Sequence, residues 1–141
     1  MRSKHFEIQE LIPKEVYDIH GQNAWVFVCP KLIASIDTIK ERFPEGTMTI
    51  NNWLWGGDRE WSGLRTPDSK WYSKTSQHSL DLKKLIFKAT DSVFSKYETD
   101  IIRQDIINNP DIYPHIKGIE LGVSWLHIDT RERESLLQFR A

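Results

Sequence analysis

The sequence predicts an α+β protein, with helices packed on a small antiparallel sheet in a single domain over residues 1–141. Two periodicities and one bulk property lead there. Residues 31–43, KLIASIDTIKERF, place Leu32, Ile33, Ile36, Ile39 and Phe43 at helical spacing. Residues 122–131, GVSWLHIDTR, alternate with a period of two, as a strand does. The chain of 141 residues, 39% hydrophobic and 28% charged, is long enough to bury one core without covalent staples.

In chain order, the first 20 residues suggest short helical pieces broken at Pro13 and closed by Gly21. The helix over 31–43 starts behind Pro30 and is stopped by Pro44 and Gly46. TMTINNW, residues 47–53, alternates and is β-rich, which predicts a strand. Residues 54–74 form a long polar segment studded with tryptophan and arginine, a length that inside a small domain usually carries function. A helix fits 98–109, with Ile101, Ile102 and Ile106 on one face and Asn108, Asn109 and Pro110 ending it. The strand near 122–131 turns Ser124, Leu126 and Ile128 one way and Trp125, His127 and Asp129 the other. An apolar face opposite a Trp/His/Asp face suits a strand with the core on one side and a site on the other.

Composition excludes several classes. A net charge of −1 with no basic block gives no electrostatic case for nucleic acid. The single cysteine, Cys29, rules out an internal disulfide and a cysteine-based metal knuckle. Its apolar setting, AWVFVCPKL, predicts a buried thiol. No apolar run is long enough for a membrane span or resembles a signal peptide, so synthesis in a host cytoplasm is expected.

Of the five histidines, His5, His20 and His115 read as surface or structural residues, whereas His78 ends a polar loop and His127 lies mid-strand. Two imidazoles and a carboxylate suit catalytic zinc, because three protein ligands leave one position for water. Such a metal lowers the pKa of that water and polarises a carbonyl, while a further carboxylate handles the proton.

The order Ser62-Gly63-Leu64-Arg65, Ser76-Gln77-His78, Lys88-Ala89-Thr90-Asp91, Glu120 and Trp125-Leu126-His127-Ile128-Asp129 resembles the peptidase M15 family of zinc D,D-carboxypeptidases and L,D-endopeptidases. The small phage-type members are the most similar, and the motif-bearing part runs over about 48–131. The resemblance implies a Hedgehog-like zinc peptidase fold and one Zn²⁺ held by His78, Asp91 and His127. It also makes Glu120 the general base and gives Arg65 the substrate's carboxylate or the polarised carbonyl, a task suited to its rigid donor fork. Ser76 and Trp125 are candidate substrate contacts. Asp129 is a candidate partner for a ligand histidine.

In the family pattern the ligand Asp lies seven positions after the ligand His, with a glycine between them. Here Asp91 lies thirteen positions after His78, and Phe87 stands where the glycine belongs. Three alignments follow: residues 81–86 bulge out and Asp91 is the ligand; or Asp81 within the insertion is the ligand; or Ile86 takes the position and a ligand is lost. Loop entropy tolerates such an insertion, but Leu82, Leu85 and Ile86 call for burial or a partner.

The expected function is therefore a zinc-dependent peptidase of bacterial peptidoglycan, acting at the cell wall as a phage lysis enzyme or within a virion. The alternative is a non-catalytic virion or wall-binding protein on the same fold, touching other phage proteins. A third reading is an amidase of the same zinc geometry.

Overall fold

In the computed structural model, which describes residues 1–141, five short strands form one sheet in the order β1-β2-β4-β3-β5. They are β1 (Met48–Thr49), β2 (Ala89–Phe94), β3 (Gly118–Glu120), β4 (Leu126–Asp129) and β5 (Leu137–Phe139). Three α-helices accompany them: α1 (Lys14–His20), α2 (Pro30–Arg42) and α3 (Thr99–Asn108). The α+β class is as expected, but the sheet is mixed. Neighbours β1–β2, β2–β4 and β3–β4 are antiparallel, whereas β5 lies parallel to β3. From β4 the chain turns back through 130–136 and lands beyond β3, which fixes that direction.

α2 forms as its pattern dictates. Pro30 occupies the first turn, Lys40 and Arg42 lie in the last, and Leu32, Ile33, Ile36 and Ile39 are wholly buried. Each of those side chains contributes about 1.5–3 kcal/mol through burial. They meet Ile8, Leu11 and Ile12 from the N-terminal segment, Ile102 and Ile106 from α3, and Ile119, Leu126 and Ile128 from the sheet. Cys29 is buried in the same core. In α3 the apolar face differs from expectation. Ile101 is 59% exposed, while Arg103 is buried beside Ile102 and Ile106.

The predicted strand over 47–53 shrinks to Met48–Thr49. The Asn51 N–H bonds Glu10 O at 2.9 Å and its side chain bonds Ile12 O and Ser62 N–H, which pulls the backbone out of the ladder. The turn Trp53–Trp55 follows as a 3₁₀ helix. The strand near 122–131 begins only at Leu126, so Ser124 and Trp125 belong to the preceding connection. No helix is long and apolar enough to cross a membrane.

Candidate metal centre

The pleat of the sheet sorts core from site. On β4, Leu126 and Ile128 face the core; His127 and Asp129 face the other way. Asp91 on β2 pairs with His127 across the ladder, so both carboxylate and imidazole rise from one face. The β3–β4 register, Gly118 with Asp129 and Ile119 with Ile128, brings Glu120 level with His127 on that face. One sheet face thus gathers Asp91, His127, Asp129 and Glu120, all buried.

His78 comes from outside the sheet. Ser76 Oγ accepts the His78 N–H at 3.1 Å, a turn that aims the ring inward. The 62–65 segment forms the wall between His78 and β2. Ser62 O accepts Asp91 N–H (2.7 Å), Arg65 N–H donates to His78 O (2.9 Å), and Gly63 O meets His78 Nδ1 (2.8 Å). Glycine is required at 63, because a Cβ there would lie 2.1 Å from Leu11 O. Residues 62–65 of the long 54–74 segment are therefore a fixed strut of the site.

Ligating atoms of His78, Asp91 and His127 all lie within 4.8 Å of one another, and the group can hold a metal ion. His78 Nε2 is 3.3 Å and His127 Nδ1 2.8 Å from the same oxygen, Asp91 Oδ1. Proton accounting tests the fit. Gly63 O only accepts, so His78 carries its proton on Nδ1 and turns the Nε2 lone pair to Asp91. Asp129 Oδ2, 3.0 Å from His127 Nε2, likewise holds a proton there, leaving Nδ1 towards Asp91. With His127 neutral, two imidazole lone pairs and a carboxylate oxygen converge, an arrangement that a cation, proton or metal, relieves. Bonds of about 2.0–2.2 Å at a tetrahedral centre separate ligand atoms by about 3.3–3.6 Å; the His78–Asp91 spacing of 3.3 Å matches this, whereas His127 Nδ1, at 2.8 Å, has to draw back from Asp91 Oδ1 to admit a metal.

Without a metal, a proton on His127 Nδ1 takes the cation's place beside Asp91. Burial pushes the His78 pKa down. Burial also opposes charge on His127, but its bonds to Asp129 and Asp91 outweigh this and raise it to about 9. Asp91 is buried too, yet His78 and His127 hold its carboxyl far below the usual range. Asp129, likewise buried, is lowered to about 2 by Arg131 and His127. Arg131 binds it with Nε and Nη2, both at 2.6 Å, and stacks 5.1 Å over the Phe139 ring, whose edge meets His127.

Arg65 donates from Nε to Trp61 O (2.8 Å) and from Nη2 to Asp91 Oδ2 (2.9 Å); its Nη1 makes no bond within the protein. Burial lowers its pKa against the pull of Asp91 and Glu120. The Glu120 carboxylate accepts no hydrogen bond from the protein. Trp125, 37% exposed, sits just before β4.

Asp81 lies apart from this group. Its carboxylate accepts the Lys83 and Lys84 N–H groups at 2.7 and 3.0 Å, and Lys88 Nζ approaches at 3.5 Å. Asp81 N–H donates to Ile86 O (2.9 Å) and Leu85 N–H to Asp81 O (2.7 Å), so residues 81–86 close on themselves. Phe87 then enters the core, bonding Phe27 O through its N–H and accepting Cys29 N–H. Asp91, not Asp81, faces the histidines. Ile86 packs on the core, whereas Leu82 is 88% and Leu85 55% exposed.

His5 bonds Glu41, His20 stacks edge-on against Phe27, and His115 lines a polar cleft; none approaches the centre. Reading by motif missed Gly118, where a Cβ would lie 2.3 Å from both Asp129 oxygens. It also missed Arg103, although a cation one place from Ile102 and three from Ile106 was a legible anomaly. Compared with known proteins, the chain matches no family model, no curated protein and no solved structure.

Proposed function

We propose that this protein is a metal-dependent peptidase, with zinc as its metal and peptidoglycan stem or cross-link peptides as its substrate. One observation carries the reading: Nε2 of His78, Nδ1 of His127 and an Asp91 oxygen converge within 4.8 Å of one another, while the far nitrogen of each ring is already bonded to Gly63 O or Asp129. The chemistry of that donor set favours zinc. Substrate class rests on the motif resemblance. A bound zinc would supply a Lewis acid and a water of lowered pKa.

The chain's own residues would do the rest. Glu120, level with His127 and free of internal partners, takes the water's proton and returns it to the leaving amine. Arg65 offers Nη1 to the substrate's carboxylate or scissile carbonyl while Asp91 holds its other end. Asp129 keeps the His127 proton on Nε2 and so keeps Nδ1 available. Trp125 and Ser76, each two residues before a candidate ligand histidine, are candidate contacts for the peptide.

The non-catalytic wall-binding reading draws support from the exposed Leu82 and Leu85. Metal analysis and wall-lysis turbidity, run on wild type and His127→Ala, separate the two. The peptidase reading expects about one zinc per chain and clearing for wild type, with both lost in the variant. No zinc and no clearing in wild type would refute it.

A further inference from the structure

We propose that Arg103 is a positioning residue that fixes Glu120 and Trp125 relative to the metal ligands; this rests on the peptidase reading. The residue stands on α3, outside the sheet, and its side chain is 3% exposed. It nevertheless faces no carboxylate in the core. Its Nε donates to Glu120 O at 3.0 Å, and Nη2 donates to Val123 O at 2.9 Å and Trp125 O at 2.7 Å. The remaining nitrogen, Nη1, pairs with Asp100 at the surface, which balances the charge.

Those three carbonyls belong to the connection between β3 and β4. Glu120 ends β3, Trp125 immediately precedes β4, and Val123 lies between them. The β3–β4 ladder is paired at Gly118–Asp129 and Ile119–Ile128, just short of Glu120. Beyond that point the connection opens, and Gly122 adopts a left-handed conformation at φ 77°. The guanidinium therefore ties together the two ends of a loop that the sheet no longer zips. One end carries the proposed general base; the other leads within two residues to a metal ligand.

A planar fork with several donors is what this task requires, since the acceptors lie in different directions. A lysine ammonium is a single point and cannot span them. Leu121 N–H bonds Phe139 O at 2.7 Å, so β5 secures the outer edge of the same loop. Arg103 secures the inner one. His78 and Asp91 stand on other segments, and His127 is held by the β2–β4 ladder. Losing Arg103 should thus disturb the base and the wall more than the metal.

The test uses the full chain loaded with zinc or cobalt(II), as Arg103→Met and Arg103→Lys, with Ile106→Val as a destabilised control on the same helix. Arg103→Met is expected to keep metal affinity within about threefold while kcat on a stem peptide falls by about 100-fold or more, the scale of a misplaced general base. Arg103→Lys should recover part of that loss, and Ile106→Val should leave kcat close to wild type. In the cobalt protein, paramagnetic broadening of the Glu120 side-chain carbon should weaken in Arg103→Met and persist in the control. If Arg103→Met fails to fold, Arg103→Lys carries the same comparison. The proposal is overturned if kcat and broadening track only thermal stability across the three variants, or if metal is lost in step with kcat. Cobalt binding without any peptide cleavage by wild type would refute the peptidase reading alone, and the broadening then decides on Arg103. No metal binding by wild type would overturn both.

Discussion

Replacing Asp129 by asparagine tests the metal centre through a residue that touches no metal. The carboxylate is wholly buried and does two jobs: Oδ2 takes the His127 Nε2 proton at 3.0 Å, and both oxygens take Arg131. An amide has one acceptor oxygen, so it serves either His127 or Arg131 and turns N–H groups on the other. His127 then loses the charge that fixes its tautomer and raises its basicity. Partners of this kind are worth about 10–100-fold in metal affinity, or about 1.4–2.7 kcal/mol. Arg131 is partly solvated, so its lost pairing costs folding little beside that. The assay is competition for zinc against a chromophoric chelator near neutral pH, with circular dichroism to confirm folding and Asp91→Asn as a reference that loses the metal. An Asp129→Asn affinity within about threefold of wild type would falsify the claim that this carboxylate tunes His127.

Gly118→Ala should act through the same carboxylate, since its Cβ would sit 2.3 Å from both oxygens. A loss of about 1–3 kcal/mol in stability is expected from chemical denaturation, and its effect on zinc affinity should not add to that of Asp129→Asn. For chelated, metal-free protein, the two histidines predict a stability maximum near neutral pH. His127, raised from 6.5 to about 9, stabilises fully below 6.5 and loses that contribution as pH rises through 9, by at most about 3 kcal/mol. His78, lowered, gains stability as pH rises towards 6.5, so melting temperature should fall on both sides. A melting temperature that climbs steadily from neutral to alkaline pH would contradict this. In the 81–86 turn, Leu82→Ser should change stability by no more than about 0.5 kcal/mol. Leu85→Gly should raise it by about 1 kcal/mol, because Leu85 has φ 55°; denaturant midpoints measure both.

How much of this was legible depended on whether the buried face of an element was apolar. α2 and β4 advertise their faces, and the period of two on β4 correctly set His127 and Asp129 apart from Leu126 and Ile128. β2 was not foreseen as a strand. Two of its three core-facing positions are Thr90 and Ser92, whose hydroxyls are buried without partners, and only Phe94 is apolar, so no hydrophobic alternation marks it. β1 failed for a different reason: Asn51 diverts the chain through side-chain bonds to segments distant in sequence. His78, His127 and Asp91 were readable as residue types in order, but their convergence was not. It depends on the 62–65 wall and on a ladder register that spacing along the chain does not encode.

The closed turn at 81–86 has a practical corollary. Because Asp81 and Ile86 are bonded to each other across its neck, the excursion is a side branch, tied to the rest of the chain by the Asp81–Lys88 and Lys84–Glu132 ion pairs. Foreign peptide could be spliced between Lys83 and Lys84, in a crown that solvent already surrounds, without moving Asp91 relative to His78.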